Sequence, residues 1–172
     1  MSPEQAGATA ALARLRGEIA SDRRAMARRF ADLDEAQRRL ERSPADPAVL
    51  ALEAWAIHGW YTALESLLER VARQLDSEVP AGDRWHRQLL AQASVEVPGV
   101  RPAVVPEELC ADLEELLAAR HFLRHAYGLE LEPAKLASQA ARLRAVDGPL
   151  ERRLDAFDDF LTRAIDATAA GG

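Results

Sequence analysis

Cysteine is nearly absent from this sequence. Cys110 stands alone among 172 residues, which excludes an intrachain disulfide and a cysteine-rich zinc site. Lysine is as scarce: Lys135 is the only one, so the positive charge is carried almost entirely by arginine, whose planar group grips phosphate through paired hydrogen bonds. Many alanines accompany this bias, and together they read as the mark of a GC-rich coding sequence rather than of a function. No apolar run approaches the length of a membrane span, and Met1-Ser2-Pro3-Glu4-Gln5 lacks the basic and apolar regions of a signal peptide. A cytoplasmic protein without a membrane partner is expected. Strand patterning, a glycine-rich phosphate loop and internal repeats are also missing.

What the chain does contain is enough apolar residue, 48%, for one sizeable core. Its formal charge of −6 disfavours broad contact with nucleic acid, because an acidic surface repels phosphate. RNA binding would need a local basic patch.

The pattern is helical throughout. Ser2 and Gln5 form a Ser-x-x-Gln capping box with Pro3 in the first turn. Leu12, Ile19, Met26, Leu33 and Leu40 then recur every seven residues, widened by Leu15 and Phe30, which predicts one long helix. Asp46 and Pro47 open a second. That helix has two apolar rows, one from Leu50 to Leu75 through Ile57, Tyr61 and Leu64, the other of Leu52, Ala56, Trp60, Ala63 and Leu67. A helix apolar on two sides has to be covered by several neighbours, with Trp55 and Trp60 supplying bulk. A short third helix with Trp85, His86, Leu89 and Leu90 follows Gly82-Asp83. Three prolines and a glycine between Val97 and Pro106 make the main loop. The fourth helix starts at Pro106 and carries Leu109, Leu113, Leu116, Leu117 and Leu123, with Gly128 expected to end it. A fifth opens at Glu132-Pro133 and is expected to break at Asp147-Gly148-Pro149 before Leu150, Leu154, Phe157, Leu161 and Ile165 continue its face. Residues 169–172 are expected to fray.

The segment with most chemical content is Arg120-His121-Phe122-Leu123-Arg124-His125-Ala126-Tyr127. It offers a guanidinium for phosphate, an imidazole for proton transfer near neutral pH and a phenol. The plain alternative is a basic helix end, in which Arg120, Arg124 and His125 bond the last carbonyls and oppose the helix dipole. Geometry complicates the chemical reading. At about 100° per residue Arg120 and Tyr127 nearly align, whereas His125 lies about 140° from Arg120, so an unwound helix end or a second protomer would have to reunite them.

Other candidates are weaker. His121 and His125 share a helix face at a spacing of four, but a metal needs more ligands, and Cys110, His58 and His86 have no ligand spacing, so no metal or cofactor is expected. His86 reads as packing or capping the third helix. His58 and Glu65 project from an apolar helix and call for a buried hydrogen-bonded role or a dimer contact. Arg23-Arg24 and Arg28-Arg29, interleaved with acids and without aromatic neighbours for bases, read as a solvated face.

The Arg120-x4-His125-x-Tyr127 pattern is similar to the motif of HEPN-superfamily ribonuclease toxins of the HepT type. The resemblance extends to His58-Gly59-Trp60-Tyr61-Thr62-Ala63-Leu64-Glu65, to Trp85-His86 with Leu89-Leu90, and to Arg101-Pro102, in the family's order from about Leu50 to Phe160. One departure is His121, where many members carry Asn or Asp. The resemblance implies an all-α antiparallel bundle of about five helices in one domain over 1–172, with a long N-terminal helix in 1–45, a HEPN core over about 46–168 and a disordered tail in 169–172. It further implies a homodimer, within a larger hetero-oligomer in some assemblies, whose two motifs line a cleft for RNA. Arg120 and His125 would be catalytic in metal-independent cleavage, while His121, Arg124 and Tyr127 would support or bind RNA. Such toxins are typically paired with a nucleotidyltransferase antitoxin of the MNT type, which in some pairs adenylylates the motif tyrosine, here Tyr127. The competing expectation is a noncatalytic HEPN dimer that binds a protein or a nucleotide.

Overall fold

The computed structural model describes residues 2–125 and 131–170, the side chains of 121–125 excepted. Its architecture is an all-α, HEPN-like antiparallel bundle, and among the described residues there is no strand, only an isolated bridge between Val97 and Arg101. The helices are α1 (Pro3–Leu40), α2 (Pro47–Val71), α3 (Trp85–Ala93), α4 (Cys110–His125) and α5 (Pro133–Ala170).

Local signals set the first two boundaries. The Ser2 hydroxyl accepts from the Gln5 amide at 3.2 Å, while the Gln5 side chain accepts from the Ser2 amide at 2.7 Å, so two orphan donors of α1 are satisfied reciprocally. Asp46 caps α2 by accepting from Ala48 at 2.9 Å, and Pro47 occupies the first turn, where no amide donor is needed. The tight turn between them lays α1 and α2 antiparallel. Leu15, Ile19, Met26 and Leu33 are buried along the seam, and each fully buried aliphatic side chain contributes roughly 1.5–3 kcal/mol.

α2 is the axis of the bundle. Both of its apolar rows are inside, from Leu50 through Ile57, Trp60, Leu64 and Leu67 to Val71. Trp55 departs from the expectation that it adds bulk to this core: it is 56% exposed. The cause is angular. Trp55 falls on the side of α2 away from both rows, and there the Arg29 guanidinium sits 5.4 Å from its ring centroid. Arg29 crosses α2 at Gly59, where an added Cβ would lie 2.7 Å from its Cδ. The α1 arginines are correspondingly less uniform than a solvated face: Arg23 bonds Glu151 and Asp155 on α5, both at 2.6 Å, and Arg29 pairs with Asp32, whereas Arg24 and Arg28 are exposed.

α2 leaves the bundle through a π-helical turn, Ala72–Asp76, closed by Ser77 in the left-handed region (φ 60°). That wide turn places Asp76 against the main loop. Gly99, at φ +75°, lets the loop double back so that Val97 and Arg101 exchange backbone hydrogen bonds of 2.9 and 3.0 Å. Arg101 is thereby driven inward. Its guanidinium donates to Asp76 at 2.6 and 2.7 Å and to the carbonyls of Val95, Pro102 and Gln92. All five N–H donors have acceptors, which is how a side chain with no exposed surface retains its charge.

The expected break at Asp147-Gly148-Pro149 does not occur, and α5 runs unbroken to Ala170. An interior proline costs about 3 kcal/mol through its missing donor and its clash with the preceding turn. Gly148 relieves part of this, because the preceding residue has no Cβ to meet the proline ring. Burial of Val146 and Leu150 on either side, together with the 2.9 Å bond from Trp60 Nε1 to Asp147 Oδ1, holds the helix on α2. At its end α5 extends two residues into the stretch expected to fray. The Gly128 stop of α4 lies outside the described residues.

Two measurements probe these buried polar groups. Replacing Arg101 with Met leaves Asp76 buried without its partner and should lower unfolding free energy by about 3–5 kcal/mol, read from urea denaturation; a loss below 1 kcal/mol would remove the ion pair as the loop's anchor. Glu53, 1% exposed with Gln37 Nε2 at 3.3 Å, has its carboxyl raised above the usual range by burial. The folded chain therefore holds a proton that the unfolded chain releases near pH 4, and stability falls as pH rises through the folded value. Glu53→Gln should gain melting temperature over the native chain at pH 7 and lose that advantage by pH 4.

Candidate active site

Arg120 lies in α4, five residues before that helix's last described residue, and its side chain turns into the bundle instead of towards the helix end. Only 8% of the residue is exposed. Its Nη1 donates to Glu65 Oε2 and its Nε to the Thr62 hydroxyl, both at 3.3 Å, and its Nη2 lies 2.9 Å from Glu65 Oε1 in an ion pair. A two-point grip on a carboxylate with a third contact fixes both the position and the plane of the guanidinium. Capping of the last carbonyls of α4 is therefore not what Arg120 does.

Glu65 accepts from a second element as well. His86 Nδ1, at the start of α3, faces Glu65 Oε2 at short range, and the Trp85 ring lies 3.8 Å from the imidazole. A carboxylate 6% exposed thus receives Arg120 from α4 and His86 from α3. The buried hydrogen-bonded role expected for Glu65 is present. Its partners were not foreseen, for they stand 55 and 21 residues away, and spacing along one helix carries no information on pairs that only the tertiary fold creates. The one available signal was a charge in the middle of an otherwise apolar helix, which requires a partner somewhere.

The same field acts on Tyr61. Burial, and then the neighbouring Glu65 charge, push its phenol well above the usual range, so it stays protonated at working pH. Cys110 is also raised, chiefly by burial, and its Sγ contacts the Pro106 carbonyl at 3.7 Å. That is an ordinary helix thiol, not an activated nucleophile.

α4 remains helical through His125. The helix does not unwind between Arg120 and His125, so their backbone positions stay about 140° apart around its axis. The side chains of His121, Arg124 and His125 lie outside the described ones, and Tyr127 lies outside the described residues altogether. His58 sits beside Trp55, ring centroids 6.2 Å apart and nearly parallel. Among the described residues no three His, Cys, Asp or Glu side chains group as a metal site.

With Arg120 locked to α2 and its motif carried by α4, comparison with known sequences becomes decisive. The family described as HepT-like protein matches residues 52–161. The chain belongs to the HepT-like family. The match opens in α2 and closes in α5, so it takes in Thr62, Glu65, His86, Arg101, Arg120, His125 and Tyr127 and leaves α1 wholly outside. Neither a curated protein nor a solved structure matches the chain. A HepT-like fold is consistent with the all-α order of the helices. None of the helices in the described residues is long and apolar enough to cross a membrane.

Proposed function

We propose that this HepT-like chain is a ribonuclease toxin acting in the cytoplasm on RNA without a metal. The observation that supports this best is the preset Arg120 guanidinium, held by Glu65 and Thr62 through hydrogen bonds from Nη1 and Nε and an ion pair at Nη2; a guanidinium so fixed suits a phosphate oxygen. In the reaction the RNA 2′-oxygen forms a bond to phosphorus as the 5′-oxygen bond breaks. One proton leaves the 2′-hydroxyl and one reaches the departing 5′-oxygen. His125 performs proton transfer as general base or acid, and Arg120 stabilises charge on the pentacoordinate phosphorus. His121, Arg124 and Tyr127 bind or orient the strand. Because α4 stays helical, two copies of the chain must face one another for one copy's Arg120 to work beside the other's His125, and a homodimer is part of this reading.

The partner is a nucleotidyltransferase antitoxin of the MNT type, and Tyr127 is the residue it adenylylates. The added nucleotide puts bulk and negative charge beside the arginine motif and blocks phosphate.

One observation favours a second reading. A buried, ion-paired Arg120 also serves a purely structural purpose, in which case the chain is a noncatalytic dimer that binds a protein or a nucleotide.

Purified protein should cleave RNA in EDTA, with Arg120→Ala and His125→Ala reduced by about 10²-fold or more; undiminished cleavage by His125→Ala would end the assignment. Induced expression should arrest growth only with the intact motif, and equal harmlessness of all three would favour the binding module. Co-expression with a neighbouring nucleotidyltransferase should add one AMP mass to the peptide holding Tyr127, and its appearance on any other residue would count against that site.

A further inference from the structure

Resting on the ribonuclease reading, we infer that His86 is a positioning residue for the reaction: it fixes the Glu65 carboxylate from behind, and through Glu65 it sets where the Arg120 guanidinium points. Glu65 is held by donors on two elements, Arg120 Nη1 and Nη2 from α4 and His86 Nδ1 from α3. A carboxylate can only accept, so the imidazole nitrogen facing it carries a proton. Were His86 absent, Glu65 would keep only the contacts of Arg120 itself, and the two side chains would be free to move as a pair. Thr62, at 3.3 Å from Arg120 Nε, is the sole remaining described anchor of that pair.

The imidazole is itself constrained. His86 is the second residue of α3, a helix tied down by the burial of Leu89, Leu90 and Ala93, and the Trp85 ring stacks against it at a tilt of 30°. Its side chain is 12% exposed. The exposed part borders a groove of about 300 Å³ between α3 and α4, lined also by Arg84, Arg87, Glu114 and Leu117. That groove admits a molecule of imidazole's size, which makes the role of His86 testable by replacement in solution.

Asparagine places its amide nitrogen close to the position of a histidine Nδ1, so it keeps the donor to Glu65 without a ring. Expected results are a fall of about 10- to 100-fold in kcat for RNA cleavage by His86→Ala, as for a misplacement of about 1 Å, with KM little changed. Activity should persist in His86→Asn, and added imidazole should restore much of it to His86→Ala. Circular dichroism and melting establish that each variant is folded. Independently of activity, the Arg120 Nε–H resonance should be sharp and protected from exchange in the native chain and in His86→Asn, and broadened or lost in His86→Ala. Native cleavage in His86→Ala, or a loss in the folded variant that neither asparagine nor imidazole repairs, would overturn the positioning role. If the native chain cuts no RNA, the ribonuclease reading falls alone, and the Arg120 resonance then decides whether His86 positions it.

Discussion

A helix enclosed on almost every side must have a partner waiting for each polar group it carries inside, and α2 meets that constraint with a different element each time. Glu53 takes Gln37 from α1. Trp60 donates to Asp147 on α5. Glu65 takes Arg120 from α4 and His86 from α3, and Asp76, at the end of the π-helical turn, takes Arg101 from the main loop. Apolar burial supplies most of the free energy of assembly but little directional information. These polar contacts fix the axial register and rotation of each surrounding segment, since a shift by one residue would leave a buried charge or indole without its partner. The candidate site is thus one of several keyed contacts along the same helix, and its geometry is inherited from the way the bundle is locked.

The longest helices show where sequence patterning suffices and where it fails. The capping box at Ser2, the Asp46-Pro47 start and the two apolar rows of α2 are local properties, and the fold follows them. Pro149 misleads because its cost is local, whereas what outweighs it, the burial of Val146 and Leu150 on α2 and the Trp60–Asp147 bond, is tertiary. Trp55 misleads for a local reason: a large aromatic side chain is normally core, yet its angular position on α2 sets it apart from both apolar rows and leaves it exposed. The site shows the same division. The segment Arg120 to Tyr127 stands out in the sequence as the candidate for chemistry, but the grip of Arg120 on Glu65, and the link from Glu65 to His86, join segments that no periodicity relates.

α1 adds a layer to the family's core. The family match begins within α2, yet α1 buries Ile19, Met26 and Leu33 against that helix and ties its outer face to α5 through Arg16–Asp158 and Arg23–Glu151. Exposed and partly exposed ion pairs of this kind stabilise little, so apolar contact holds α1 in place and the arginines mainly select its orientation. The same pairing recurs elsewhere in the bundle, where Arg70 faces Glu18 and Asp22, Arg142 faces Asp112 and Arg144 faces Asp34, each on another helix.

The continuity of α4 carries the last consequence. Had the helix unwound after Arg120, the arginine and the histidine of the motif could meet within one copy, and the chain would be chemically self-sufficient. It stays helical to His125, about 7.5 Å further along the axis and about 140° around it, while Arg120 is anchored inward by a carboxylate that cannot follow a moving helix end. Rotation of α4 to expose Arg120 would break its contacts with both Glu65 and Thr62. The motif in a single chain therefore consists of a cation fixed from α2 and a histidine at a separate helix position, and in the proposed ribonuclease the two would be paired between two copies. In such an arrangement the rigidity of Arg120 is an asset, because two copies can then present complementary halves without either having to rearrange.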